Sequence, residues 1–132
     1  MSEYTGGCLC GKIRYKISEE PIFPHFCSCH MCQRWSGSAV ATWVDFPRVS
    51  LSFEGSGTEL TLYRTCETTQ RGFCPVCGSG ICALDDGSEY ICITVGTLDD
   101  PNPMAPESQS FPESAPSWLA DWRFENGRTE FR

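Results

Sequence analysis

The spacing of the cysteines constrains this chain more than any other feature. Seven of the ten fall into three tight groups: Cys8 and Cys10 in GGCLCGK, Cys27, Cys29 and Cys32 in CSCHMC, and Cys74 and Cys77 in FCPVCGSG. CxC and CxxC pairs are too short for an easy internal disulfide framework, yet they let two sulfurs reach one ion at about 2.3 Å. The first ten residues, MSEYTGGCLC, hold neither a basic nor an apolar signal region. A cytoplasmic setting is therefore expected, in which cysteines more often serve metal or catalysis than disulfides.

CPVCG has the form of a zinc knuckle, whose proline and trailing glycine set a turn with backbone amides facing sulfur. It supplies two ligands, and a closed tetrahedral site needs two more. The CxC pair, flanked by Gly7 and Gly11, is the natural other half. A structural zinc on Cys8, Cys10, Cys74 and Cys77 is thus expected to staple distant parts of the chain.

Cys27, Cys29 and Cys32 remain as a triple. Closed sites take four protein ligands, whereas catalytic zinc keeps three and leaves the fourth position to water or substrate. Two alternatives stay open: His25 or His30 completes a closed site, or Cys29 and Cys32 form a redox CxxC, although no βαβ pattern surrounds them. Three thiolates on a divalent ion leave a net charge near −1. Such a site activates water poorly and suits a small thiol presented as nucleophile.

Strand patterns dominate the first hundred residues. GKIRYKI alternates Ile13, Tyr15 and Ile17 with Lys12, Arg14 and Lys16, the period of a half-buried strand. AVATWVDF, VSLSFEG and ELTLYRT follow and read as a meander. GICAL and EYICITVG flank DDGS, a hairpin reversal. Cys66, Cys82 and Cys92 fall in strand-like runs and read as small buried hydrophobes. Helix is expected only across HMCQRWSG, ended by Gly37, and across SAPSWLADW. The 132 residues read as one unit with little helix. Residues 102–132 are rich in proline but anchored by Phe111, Trp118, Leu119, Trp122 and Phe124, and are expected to lie back over the sheet.

A net charge of −7 without basic runs excludes electrostatic steering onto nucleic acid, and the apolar stretches are too short to span a membrane. A monomer or homodimer is expected.

Taken together, GGCLCGKIRY, CSCHMCQRWSGS, TTQRGFCPVCGSGI and ITVGTLDDP resemble the glutathione-dependent formaldehyde-activating enzyme family, which includes centromere protein V. The resemblance runs over about 6–101, taken as the core, and implies an all-β, zinc-binding β-tent (Mss-four-like) fold of small antiparallel sheets. It also implies a structural zinc on Cys8, Cys10, Cys74 and Cys77, a catalytic zinc on Cys27, Cys29 and Cys32, and a carbon–sulfur lyase joining glutathione to formaldehyde. The chain departs from it at Gln109, where many relatives carry histidine, and after Asp121, where WRFENG replaces the usual Leu-Pro. Glutamine cannot titrate near neutral pH, which points to a different substrate in this member. Arg34 reads either as a bidentate partner for a glutathione carboxylate or as a solvated surface residue. Trp35 and Trp43 read as core more readily than as cleft walls, and Arg71 as a neutralising charge beside the knuckle.

Overall fold

Burial of alternate residues on β2 (Ile13–Ile17) generates the core. Ile13, Tyr15 and Ile17 are almost fully buried while the basic residues between them are not, as the period-two pattern requires. In the computed structural model, which describes residues 3–55 and 59–119, β2 lies between β1 (Tyr4–Gly7) and β5 (Leu51–Gly55) in a three-stranded antiparallel sheet. Its apolar face packs on a larger sheet through Val44, Phe46, Ile81, Ile91 and Ile93.

The larger sheet has seven strands. β3 (Ile22–Cys27), β4 (Ala41–Pro47), β6 (Thr61–Arg64), β7 (Thr69–Phe73), β8 (Gly80–Asp85), β9 (Tyr90–Thr94) and β10 (Gln109–Ser110) assemble in the order β10-β3-β4-β9-β8-β7-β6. All pairs are antiparallel except β10 on β3, which is parallel. The architecture is mostly β, as expected.

The meander expected over residues 41–64 is not formed. β4 pairs with β3 and β9, β5 crosses to β2 in the other sheet, and β6 pairs with β7. The reason is burial: Val44 and Phe46 take the inner face of the large sheet, and β5 can cover that core only from the opposite layer. An antiparallel meander instead runs through β6, β7, β8 and β9, closed at Asp86-Gly87, where Gly87 has φ 74° and the Ser88 amide donates to the Asp85 carbonyl.

A short helix, α1 (His30–Ser36), follows β3 and ends at Gly37, whose φ of 72° provides the left-handed cap. It covers the face of the large sheet turned away from the main core, where Trp35 joins Trp43, Ala41, Ala83 and Cys92 in a second, smaller cluster. Cys82 is fully buried and Cys92 half-buried, its thiol donating to Asp45 Oδ1 at 2.9 Å. Cys66 departs from expectation. The run ELTLYRT ends as a strand at Arg64, so Cys66 falls in the exposed turn before β7.

The described part of the C-terminal segment follows the edge of the large sheet. Met104 is buried in the main core, and the Phe26 and Ser28 amides donate to the Ser108 and Ser110 carbonyls. Pro112–Ser114 forms a 3-10 turn, while Phe111 and Trp118 are more than half exposed. The helix expected over SAPSWLADW is not formed in its described part, where a turn closed by the Leu119 amide on the Pro116 carbonyl follows the 3-10 turn because Pro116 withholds a backbone donor. Trp122, Phe124 and the rest of that stretch lie outside the described residues. Among the described residues no helix is long and apolar enough to cross a membrane.

Candidate metal centres

The first cluster joins two tight turns. Cys8 and Cys10 lie between β1 and β2, Cys74 and Cys77 after β7, and their four sulfurs all lie within 4.8 Å of one another. Gly11 (φ 84°) and Gly78 (φ 82°) supply the left-handed residues that let each turn close. Backbone amides face the sulfurs as the knuckle reading requires: Ile13 N donates to Cys8 Sγ at 3.2 Å and Val76 N to Cys74 Sγ at 3.4 Å. The Ser79 hydroxyl, 3.2 Å from Cys77 Sγ, also accepts from the Leu9 amide and so ties the two turns together.

The sulfur separations test whether a metal fits. Cys8 and Cys10 are 3.6 Å apart, and Cys10 and Cys74 are 3.9 Å apart. Four thiolates at about 2.3 Å around a tetrahedral ion stand about 3.8 Å from each other. The donor set and its spacing therefore fit a divalent metal with a taste for sulfur. Hydrogen bonds from the Ser79 hydroxyl and amide lower the Cys77 thiol to about 5, so this ligand is readily ionised.

The second cluster is built around the start of α1. Cys27 ends β3, Cys29 is the helix cap and Cys32 lies in the first turn, with the three sulfurs within 4.8 Å of one another. The cap is made by sulfur: Cys29 Sγ accepts from Cys32 N at 3.2 Å. Ser28, between two of the cysteines, is fully buried and pinned on every side. Its amide donates to Ser110 O, its carbonyl accepts from Gln33 Nε2 at 2.7 Å, and its hydroxyl accepts from Gln109 Nε2 at 2.8 Å.

Electrostatics separate the Cys27 thiol from that of Cys29. Burial pushes Cys27 up to about 12. Burial also opposes ionisation of Cys29, but hydrogen bonds from the Cys32 thiol and amide and from Cys27, with the charge of Arg71, hold it below the usual thiol range. Among the described residues no nitrogen of His25 or His30 and no further cysteine or carboxylate joins the triple. His25 instead stacks on Phe23, its Nδ1 2.9 Å from the Phe23 carbonyl.

Arg34 is exposed in the last turn of α1. The guanidinium that touches the triple belongs to Arg71 on β7, whose Nη2 donates to Cys32 Sγ at 3.4 Å. Arg71 therefore serves the second cluster and not the knuckle beside it in sequence. Trp43 is buried, whereas Trp35 is half-buried and walls a cleft of about 480 Å³ with Ser36, Phe73, Gly78, Gly80 and Thr94. A second cleft of about 480 Å³ opens between Phe26, Val40, Gln109 and the chain from Pro112 to Leu119. The sequence pointed to neither Ser28 nor Gln33. Gln109 was marked only as a departure, and its contact with Ser28 spans 81 residues.

These features define a small, mostly β protein with two cysteine clusters, one of four sulfurs and one of three, that could each hold a metal ion. The model of the family described as glutathione-dependent formaldehyde-activating enzyme matches residues 3–114, and the chain belongs to that family. Among curated proteins none matches the chain. Among solved structures, the crystal structure of a Rhodobacter sphaeroides protein, a structural genomics target, is similar at a TM-score of 0.64 and 21% identity. The alignment covers 80% of this chain and 99% of that one. At that identity the likeness speaks for the fold alone.

Proposed function

We propose that this protein is a zinc-dependent carbon–sulfur lyase that forms or cleaves the adduct between a small thiol such as glutathione and an aldehyde such as formaldehyde. A zinc held by Cys8, Cys10, Cys74 and Cys77 is structural, and a zinc held by Cys27, Cys29 and Cys32 is catalytic. The observation that carries this reading is the convergence of three sulfurs with no fourth protein donor among the described residues. Family membership supports the thiol and aldehyde chemistry.

Zinc, when bound, supplies a Lewis acid that favours the ionised form of a thiol. The chain's own residues supply the setting. Ser28, held by Gln33, Gln109 and Ser110, fixes the spacing between Cys27 and Cys29. The Trp35 and Trp43 indoles exclude water from one side, and Arg71 places a positive charge beside the sulfurs. In the forward reaction the thiol sulfur bonds to the carbonyl carbon, the carbonyl electron pair moves to oxygen, and the thiol proton ends on that oxygen. No redox partner is needed. Ten cysteines, none of them paired in a disulfide, suit a reducing compartment, which favours a cytoplasmic location.

The test is titration of the cobalt-substituted protein with glutathione, followed by exchange spectroscopy of labelled formaldehyde and its adduct. A saturable change in the sulfur-to-cobalt bands and faster exchange than in buffer, both abolished by Cys29→Ser, are expected. Unchanged bands and an exchange rate equal to buffer would overturn the proposal.

A further inference from the structure

Arg71 is a buried cation with no carboxylate partner among the described residues. Its side chain belongs to a residue only 6% exposed, Nη2 reaches Cys32 Sγ, and Nε and Nη1 are buried without a hydrogen-bond partner. Its guanidinium carbon lies 5.3 Å from the centroids of both Trp35 and Trp43, two indoles 5.9 Å apart and within 18° of parallel. The ring faces offset part of the desolvation of a guanidinium, but a lone buried charge remains costly until an opposite charge faces it. Arg71 joins none of the ion pairs among the described residues. On its rung of the sheet Ala83 and Cys92 lie between it and Asp45, and the Asp45 carboxylate already accepts from the Cys92 thiol. The sulfur cluster is the group it meets, and a bound metal, which ionises the thiols, would make that cluster an anion.

We infer that Arg71 is the built-in counter-charge of the three-thiolate site, and that it sets the site's preference for an anionic fourth ligand, a thiolate, over a neutral one. The inference rests on the proposed function and adds what selects the ligand class. Three thiolates and a divalent ion sum to −1, and Arg71 brings the buried ensemble to zero. A thiolate then adds to a neutral site, whereas without Arg71 it would join one already negative, a difference a neutral ligand does not feel. Arg71 acts through the cluster and is a positioning residue. Its two unpartnered nitrogens, Nε and Nη1, keep further donor capacity.

The experiment compares cobalt-loaded wild type, Arg71→Met and Arg71→Lys. Dissociation constants are read from the sulfur-to-cobalt bands for 2-mercaptoethanol, which binds as its thiolate, and for imidazole, which binds neutral. Arg71→Met is expected to weaken the thiol by about tenfold or more and to leave imidazole within about twofold. Arg71→Lys, which keeps the charge, should recover most of the thiol affinity. Equal weakening of both ligands, or an unchanged thiol constant, would overturn the inference. If Arg71→Met fails to retain the second metal, Arg71→Lys decides alone, since loss of thiol preference in a variant that keeps the charge refutes the role. If the wild type binds neither ligand, the proposed function falls. The counter-charge is then read from cobalt affinity at the second site, expected about tenfold weaker in Arg71→Met and retained in Arg71→Lys.

Discussion

Adding one methyl group at Gly80 tests how the second cluster is held. A Cβ built there lies 2.2, 2.7 and 2.8 Å from Cη2, Cζ3 and Cζ2 of Trp35. Ordinary contact begins at 3.4 Å, so the indole must retreat by more than an ångström or the strand must yield. Trp43 stacks against the same indole and limits the retreat. Trp35 sits three residues beyond Cys32 on a helix of seven residues, so motion of the ring shifts the helix that carries Cys29 and Cys32. Gly80 has an ordinary strand backbone and not a positive φ, so the substitution reports the clash and not backbone strain. Overpacking of this kind costs about 1–3 kcal/mol, or a lowering of the melting midpoint by roughly 3–12 °C for a chain of this length. Circular dichroism on the metal-loaded protein measures the midpoint, and chelator competition measures loss of the second metal ahead of the first. Trp35→Leu opens space, so Gly80→Ala with Trp35→Leu is expected to cost less than the two single changes summed. An unchanged midpoint together with unchanged metal retention would refute the view that the Trp35–Gly80 contact positions α1.

Cys77→Ser or chelation at the first cluster is expected to unfold the protein, whereas Cys27→Ser leaves it folded with one metal fewer; metal analysis paired with circular dichroism separates the two. Hydrogen bonds from Arg14 and Thr5 hold the Asp99 carboxyl down at about 2, below its ordinary 3.8. The native state therefore favours the ionised form, and this contribution is present above about pH 4 and lost as pH falls toward 2. With both groups roughly half exposed, it amounts to less than about 1 kcal/mol. Asp99→Asn should lower the midpoint at pH 6, and Arg14→Met should remove most of that difference, since Arg14 donates to both Asp99 oxygens; an undiminished difference in the Arg14→Met background would contradict this. Hydrogen bonds from the amide and hydroxyl of Thr68 bring the exposed Cys66 thiol down to about 7. Mass spectrometry of the metal-loaded protein should show Cys66 alkylated first, at a rate rising through pH 7.

The parts of this fold legible in the sequence are those whose signal is local. The alternation of Ile13, Tyr15 and Ile17, the Asp86-Gly87 reversal and the stop at Gly37 each depend on a few neighbouring residues. Both cysteine groupings also followed from spacing, because the ligand chemistry permits few partners. β3 was hidden by Pro24 and by the positive φ of Phe23 at an irregular register between Ile22 and His25, which breaks the period of two. β7 was hidden because its buried residues are Arg71 and Gly72, neither of which reads as a core strand residue. Arg71 makes sense only beside indoles contributed by α1 and β4, and sequence distance conceals that meeting. The crossing of β5 to the other sheet is likewise a demand of layer packing that no local window contains.

The short parallel strand β10 separates adjustment of the second cluster from its construction. The three cysteines lie within six consecutive residues, but the hydroxyl and amide of the serine between two of them are fastened to Gln109 and Ser110, on a segment that contributes no sulfur. The same segment lines a cleft beside Phe26. Substitutions along it can therefore reshape the surroundings of the cluster while the three cysteines stay as they are. Such an arrangement lets one scaffold vary what surrounds its sulfurs through residues that carry none of them.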